Sequence, residues 1–161
     1  MRDEGERVGP RLARGCRAFA ALEDGAVVSY GWVSRAREWV GELEIHIAPG
    51  PDEAYVWNCM TLPEHRRRGH YRAVLQGIVA AARSDGLRRL WIGSVEVPAE
   101  KADADAGFVR VLRFEVSRHG DVRRLDVSAA EGADSRLVED ARSRLGVGGR
   151  RHVARVRQVI H

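Results

Sequence analysis

The feature that most constrains the fold is a strand–helix–strand succession in the middle of the chain. Residues 55–62 are rich in aromatic and β-branched side chains and stop at Pro63, which is typical of a strand. An amphipathic helix follows a basic segment, and Gly86 stands just past its end as a C-cap. Its apolar face is formed by Val74, Leu75, Ile78, Val79 and Ala82. Residues 90–97 are then mostly apolar, and we interpret them as a strand covered on both faces. This order predicts a mixed α/β fold.

Two β-hairpins are predicted around this succession. Residues 16–22 and 26–34 flank a Glu-Asp-Gly turn, and Asp-Gly between apolar segments is a hairpin signal. Residues 109–117 and 122–127 flank a His-Gly-Asp turn in the same way. Alternating apolar residues at 43–47 predict one more strand end, and a short helix is predicted after Pro98.

Composition divides the chain into three parts. Residues 1–15 are polar and poorly patterned, which predicts a flexible N-terminal arm. Residues 16–127 hold the predicted hairpins and the central succession, and we interpret them as one α/β core. From residue 128 the chain turns to small and polar residues, and Asp134 or Ser135 can cap a helix. We therefore expect residues 128–161 to form a C-terminal helical extension.

The overall composition is that of a globular protein. Hydrophobic residues make up 44% and charged residues 31% of the 161 positions, and no apolar run approaches the ~20 residues needed to cross a membrane. No apolar segment of a secretory signal follows the N-terminal arginines, and two cysteines make no disulfide framework. We expect a cytoplasmic protein. Four arginines within residues 150–161 account for the net charge of +4, so anion binding has to be argued locally.

The turn between the central strand and helix is the candidate binding site. Four arginines, two histidines and Gly69 lie between Pro63 and Ala73, directly before the amphipathic helix. A helix start offers unpaired backbone N–H groups and the positive end of the helix dipole, which together attract anions. The segment predicts a phosphate or pyrophosphate site. The alternative from these residues alone is a helix start with a solvated run of arginine.

The ordered set of elements resembles the GNAT superfamily of acyl-CoA N-acyltransferases. The pyrophosphate motif of that family reads Arg/Gln-x-x-Gly-x-Gly/Ala, usually preceded by Pro-x-x, and Pro63, Arg66 and Gly69 match it. Tyr71 stands where Gly or Ala is usual, which is familiar in a bacterial branch of the family. That branch is also similar in the stretches Tyr30-Gly31-Trp32-Val33-Ser34, Glu38-Trp39-Val40-Gly41-Glu42-Leu43 and Glu53-Ala54-Tyr55-Val56-Trp57-Asn58-Cys59.

This resemblance implies an acyltransferase that moves acetyl from acetyl-CoA, as co-substrate, to a primary amine by direct attack on the thioester. It implies that backbone groups at the end of the central strand pair with the pantetheine arm, here Met60, Thr61 and Leu62. It further implies that the turn surrounds the pyrophosphate with Arg67, Arg68, Gly69, His70, Tyr71 and Arg72. The sequence does not identify the acceptor amine or the acyl-chain length.

The resemblance covers residues 16–127 and lacks the strand and two helices that usually open this fold. Those helices line the acceptor side, so we expect that wall to be absent, or supplied by residues 128–161 or by a second chain. A homodimer is one way to complete it. A start upstream of residue 1 is another.

Catalytic residues remain open at this point. The position of the usual asparagine after the fifth strand is Glu96, and Asp103 takes the place of the helix tyrosine that often protonates the leaving thiolate. The candidates by position are Glu42, Glu53, Cys59 and Glu96, each with the alternative of a solvated edge charge or a buried thiol. Trp32 and Trp39 either line an acceptor pocket or pack in the core.

The sequence also bears on metal-binding, hydrolase and nucleic-acid-binding functions. The histidines lack metal-ligand spacing such as His-x-x-x-His, so we expect no metal site. No Gly-x-Ser-x-Gly elbow is present, which argues against a hydrolase. The main alternative is a non-catalytic GNAT-like module that binds acyl-CoA or a partner. Nucleic-acid binding through the arginines is the weakest reading, and no membrane partner is expected.

Overall fold

The computed structural model describes residues 2–94, 97–120, 122–147 and 152–155. The elements within these ranges, in chain order, are α1 (Arg2–Ala13), β1 (Arg17–Glu23), β2 (Ala26–Ser34), β3 (Glu38–Val40), β4 (Ile45–Ile47), β5 (Glu53–Thr61), a 3-10 helix (Pro63–His65), α2 (His70–Ser84), β6 (Arg89–Ile92), α3 (Val97–Asp105), β7 (Leu112–His119), β8 (Val122–Ala129), α4 (Ser135–Leu145) and β9 (His152–Arg155). No helix in these ranges has the length and apolar character needed to cross a membrane.

The chain divides into two compact units. The first comprises Met1–Glu38 and Ala48–Phe108, and the second comprises Trp39–Ile47 and Val109–His161. This division differs from the predicted core of residues 16–127, because the β7–β8 hairpin groups with the C-terminal elements. The reason is direct pairing, since β9 hydrogen-bonds to β8 and α4 packs against β4.

The first unit is built on a four-stranded sheet in the order β1-β2-β5-β6. The first three strands pair antiparallel, and β5 pairs with β6 in parallel. Two parallel neighbours need a crossover connection, and α2 provides it. The mixed α/β fold predicted from the central succession is confirmed. Asp24 and Gly25 form the predicted hairpin turn, with φ angles of 51° and 79°.

The core of this unit lies between the sheet and α2. Leu75 and Ile78 are 0% and 1% exposed, and they contact Val33 and Val56 of the sheet. Burying an aliphatic side chain of this size stabilises a fold by about 1.5–3 kcal/mol. The same spacing that predicts the helix therefore supplies its packing face. The strand β6 is half-buried along its length, so the prediction that it is covered on both faces is wrong.

The N-terminal segment is helical, which corrects the prediction of a flexible arm. Arg11 of α1 is only 6% exposed. Its guanidinium carbon lies 5.0 Å from the ring centroid of Trp32 and 4.7 Å from that of Trp57. Each cation–π contact of this kind contributes about 0.5–2 kcal/mol. The sequence pattern missed this helix because its anchor is an arginine, which polar patterning counts as a surface residue.

A β-bulge interrupts the pairing of β2 with β5. Trp57 pairs with Trp32 and Met60 with Tyr30, so Asn58 and Cys59 together oppose Gly31 alone. Asn58 has a φ of 46°, and the Cys59 sulfur lies 2.8 Å from where a Cβ on Gly31 would stand, beside Ile78. The extra residue turns Cys59 to the α2 face of the sheet. Strict alternation along β5 would place Cys59 on the same face as Trp57, and the bulge places it on the opposite face.

The second unit contains a three-stranded antiparallel sheet in the order β7-β8-β9. The predicted hairpin is present as β7–β8. Asp134 is the N-cap of α4, as predicted, and its carboxylate accepts from the amides of Arg136 and Leu137. Residues 152–155, which the sequence assigns to a helical extension, form a strand instead. The pairing with β8 accounts for this, because the neighbouring strand supplies hydrogen-bond partners, whereas four residues alone do not sustain a helix.

The bulge predicts a steric conflict at Gly31. We expect Gly31→Ala to lower the free energy of unfolding by about 1–3 kcal/mol, because the new Cβ overlaps the Cys59 sulfur. Gly77→Ala in α2 is the matched control: its Cβ meets nothing within 4 Å, and alanine raises helix propensity. Urea unfolding measures both. The double variant Gly31→Ala/Cys59→Ala should recover part of the loss, and a Gly31→Ala protein as stable as the parent would contradict the packing described.

Candidate functional site

The turn from β5 into α2 has the backbone of an anion site. Arg67 and Gly69 both have left-handed φ angles, 62° and 83°. No side chain caps Gly69, the N-cap of α2, and the bond from the Ala73 amide to the Gly69 carbonyl (3.0 Å) starts the helix. The amides of residues 70–72 thus precede the intrahelical ladder and are available to a ligand. Alternating left-handed residues before a helix form a concave set of N–H groups that binds anions.

The arginines of this turn differ in what they contact. Arg66 donates from Nε to the Thr61 carbonyl at 3.3 Å, which ties the turn to the end of β5. Arg68 contacts Glu23 Oε1 at 3.5 Å. Arg67 and Arg72 are exposed at the same place. The predicted basic turn is therefore formed, with two arginines bonded to the framework and two extended into solvent beside the helix start.

The side chain of Tyr71 points into the protein. It is half-buried against the α2 core, and its hydroxyl donates to Asp103 Oδ1 at 2.7 Å. Ser94 donates to the other oxygen of the same carboxylate. Asp103 is 7% exposed, so this carboxylate is held by two hydroxyl groups below the surface. Only the backbone amide of Tyr71 remains at the turn, which leaves room where a small residue is usual.

Burial raises the pKa values of Cys59 and Tyr71, two side chains beside Asp103. Desolvation, with a smaller effect of the Asp103 charge, raises the pKa of Cys59 from 9.0 to about 12. Desolvation and the hydrogen bond to Asp103 raise the pKa of Tyr71 well above its ordinary value. At neutral pH this pocket thus contains a neutral thiol and a neutral phenol. Neither is a strong nucleophile in that state.

The second half of β5 has an open edge. Ladder pairing with β6 ends at Val56 and Ile92, and no described strand continues it. The Leu62 amide donates to Val28 at 3.0 Å and the Met60 carbonyl accepts from Ser29 at 3.0 Å, both toward β2. Successive residues of a strand direct their polar groups to opposite edges, so those of Thr61 face away from β2, where its carbonyl accepts from Arg66 Nε. Of the three residues predicted to pair with pantetheine, Thr61 has this orientation.

The catalytic candidates are not brought together. Glu53 is buried at the far end of β5, where it accepts from Trp91 Nε1 at 2.8 Å and from the Gly50 amide at 3.0 Å. Glu42 lies in the second unit, where its carbonyl accepts from Arg123 at 2.9 Å. Cys59 faces the α2 core, and Glu96 lies outside the described residues.

The two tryptophans considered for an acceptor pocket belong to different units. Trp32 stacks under Arg11 in the first unit. Trp39 is 52% exposed in the second unit, with its ring centroid 4.9 Å from that of His46. Trp32 is therefore a packing residue, which is one of the two alternatives given from the sequence.

Two groups of interacting side chains were not predicted from the sequence. Ser94 joins Tyr71 and Asp103, and Glu23 meets His65 and His70. Glu23 is 42 positions from His65, so no local spacing could reveal the contact. This contact depends on the register of the first hairpin, because the register determines where β1 ends relative to the turn.

Comparison with protein families identifies the family of this chain. The Acetyltransferase (GNAT) family profile matches residues 3–111, which is more than half of the chain. The match begins within α1, upstream of the residue-16 boundary that the resemblance suggested. Comparison with curated protein sequences gives no match.

Solved structures share the fold. A protein described as an acetyltransferase, from Agrobacterium tumefaciens str. C58, superimposes with a TM-score of 0.52 at 19% identity, over 73% of this chain and 75% of that one. The aminoglycoside N-acetyltransferase AAC(6')-Iy in complex with CoA gives 0.51 at 16% identity, over 73% and 91%. The same enzyme with the bisubstrate analog CoA-S-monomethyl-acetylneamine gives 0.51 at 18%, over 71% and 82%.

The pKa of Cys59 predicts an alkaline loss of stability. The thiol binds its proton more tightly when folded, so its contribution is complete below pH 9.0 and is lost between there and about pH 12. The slope is at most about 1.4 kcal/mol per pH unit. We expect a Cys16→Ala protein to lose stability above pH 9.0 more steeply than Cys16→Ala/Cys59→Ala. The common background removes Cys16, whose pKa burial also raises. Parallel urea-unfolding curves at pH 8–11 would contradict this assignment.

Proposed function

Because the chain belongs to the acetyltransferase (GNAT) family, we propose that it transfers acetyl from acetyl-CoA to a primary amine. One observation carries the proposal: the anion-binding turn follows directly on the open-edged half of β5. A CoA thioester has a pyrophosphate at one end of an extended, amide-containing arm. The two features match these two parts in the same order along the chain.

The CoA arm would use backbone rather than side-chain groups. The amides of residues 69–72 would receive the pyrophosphate, with Arg67 and Arg72 adding charge from the rim. The backbone N–H of Thr61 would donate to a pantetheine carbonyl at the open edge of β5, next to the bond that the Thr61 carbonyl accepts from Arg66. Met60 and Leu62 support this arm from behind, because their polar groups already bond to β2. Ordered backbone donors bind at little entropic cost.

The transfer itself would proceed by direct attack. The neutral amine attacks the carbonyl carbon of the thioester. The carbonyl oxygen takes the developing negative charge beside strand-edge amides, and the CoA thiolate leaves as the new amide forms. The amine loses its proton to solvent or to a base, and the thiolate later takes one up. A covalent route through Cys59 is disfavoured, since its pKa of about 12 leaves almost no thiolate at neutral pH.

The acceptor class is proposed from chemistry and from the fold relatives. The AAC(6')-Iy complex is titled with an acetylneamine analog, so an aminoglycoside amine is one candidate acceptor. Small polyamines and peptide N-termini offer the same nucleophile. A panel of these three amine classes, assayed for CoA thiol release with acetyl-CoA, tests the activity.

The alternative is an acyl-CoA-binding module without turnover. It is favoured by the environment of Asp103, which takes the place of the usual helix tyrosine and whose two carboxylate oxygens accept from the hydroxyls of Tyr71 and Ser94. Binding of acetyl-CoA with a definite stoichiometry, and no thiol release with any amine of the panel, would support this reading. Absence of both would reject the proposed function and the alternative together.

The proposed CoA site predicts that charge reversal at two arginines of α2 has different effects on the CoA affinity. Arg72→Glu in the first turn should weaken CoA binding about two- to thirty-fold, because charge reversal removes an attraction and adds a repulsion, each about 0.2–1 kcal/mol. Arg83→Glu in the last turn is the matched control and should leave the affinity unchanged. Calorimetry measures both. An acidic residue in the first turn favours the helix dipole, so unfolding is not expected for Arg72→Glu. Equal affinities for the two variants would contradict this site.

We expect removal of the Tyr71 hydroxyl to lower the stability of the protein and to leave its CoA affinity almost unchanged. Tyr71→Phe removes the hydroxyl that donates to Asp103 and should lower the free energy of unfolding by about 1–3 kcal/mol, as one carboxylate oxygen loses its partner. The CoA affinity should stay within about twofold of the parent, a change of about 0.4 kcal/mol or less, because only the backbone amide of Tyr71 faces the turn. Urea unfolding and calorimetry measure the two quantities. A large loss of affinity with unchanged stability would place the phenol in the binding site instead.

A further inference from the structure

A carboxylate and two imidazoles meet where the first hairpin approaches the turn. Glu23 is the last residue of β1, His65 lies in the 3-10 helix, and His70 is the first residue of α2. Glu23 Oε2 lies 2.5 Å from His65 Nδ1 and 3.8 Å from His70 Nε2. All three side chains are partly buried. The site lies within one unit and uses the imidazole of His70, whereas the proposed CoA site uses only the backbone amide of this residue.

One atom of this cluster lacks a partner. His70 Nε2 is buried and makes no hydrogen bond within the described part of the chain. Its distance of 3.8 Å from the carboxylate oxygen is too long for a hydrogen bond. An imidazole nitrogen buried without a partner costs about 1–3 kcal/mol. A cation between His70 and Glu23 would remove that cost.

The distances between the donor atoms are close to those around a tetrahedrally coordinated metal ion. The three donor atoms all lie within 4.8 Å of one another. Ligands bound at about 2.0–2.1 Å in a tetrahedron are separated by about 3.4 Å. The two measured separations lie on either side of this value, each within about 1 Å of it. Side-chain rotation without backbone movement can close differences of this size.

The donor set selects the kind of ion. We propose that Glu23, His65 and His70 bind a divalent transition-metal ion of the zinc class. Two imidazoles and one carboxylate suit Zn²⁺ or Co²⁺ and not Mg²⁺ or Ca²⁺, which prefer oxygen ligands throughout. Three protein ligands leave a fourth position for water. The ion would tie the end of the first hairpin to both ends of the turn.

A neighbouring arginine orients the carboxylate. Arg68 Nη1 lies 3.5 Å from Glu23 Oε1, the oxygen that faces away from His65. A partner on the outer oxygen fixes the rotation of a ligating carboxylate and leaves Oε2 for the metal. The absence of local ligand spacing, which led us to expect no metal site from the sequence, does not apply to ligands that three separate elements supply.

Titration of the metal-free protein with Zn²⁺ by calorimetry tests the site in the absence of CoA. We expect one ion per chain with a dissociation constant of about 1 µM or tighter, and a visible spectrum of tetrahedral type with Co²⁺. Glu23→Gln and His70→Gln should each weaken Zn²⁺ binding at least about tenfold. His119→Gln, an exposed histidine at the end of β7, is the matched control and should bind as the parent does.

Thermal melting gives a second readout that does not require the variants to be as stable as the parent. Saturating Zn²⁺ should raise the melting temperature of the parent and of His119→Gln, but not of Glu23→Gln. A parent affinity weaker than about 1 mM, or unchanged affinity in Glu23→Gln and His70→Gln, would overturn the proposal. Because CoA is absent throughout, either result is independent of the acetyltransferase activity.

Discussion

The β-bulge in β5 is the constraint on which the first unit depends. Up to Val56, β5 is an ordinary strand between β2 and β6. Two residues then oppose Gly31, the strand bends, and its pairing with β6 is not resumed in the described residues. Beyond the bulge, one edge of β5 has no neighbouring strand among the described residues, while the other edge stays bonded to β2. The edge at which we propose that an extended ligand binds thus arises from one extra residue in the strand.

The first turn of α2 is held from inside the protein and is open outside. Tyr71 is bonded to Asp103 of α3, while the amides of the same turn have no intrahelical partner. Opposing demands are thereby separated on one residue: the side chain stabilises the fold and the backbone amide is available to a ligand. This explains how a bulky tyrosine is accommodated where a small residue is usual.

Local features of the chain could be predicted from the sequence, and contacts between distant elements could not. The Asp24-Gly25 hairpin, the α2 helix and the Asp134 cap follow from short-range rules of turn chemistry and spacing, and all three are present. The basic turn was identified for the same reason. Arg11 was missed because its burial depends on two indoles far along the chain, and Glu23 because its partners come from another element. The bulge changed the face of Cys59, since strict alternation assumes a strand without insertions.

The contact between Gly31 and Cys59 also has an evolutionary consequence. Neighbouring side chains that share one space are not substituted independently, because the effect of one change depends on the other residue. A relative with a side chain at the position of Gly31 would need a smaller residue at the position of Cys59, or a strand without the bulge. These two positions should therefore covary among homologous sequences. An alignment column that loses the glycine would mark the branches in which this edge of the sheet has closed.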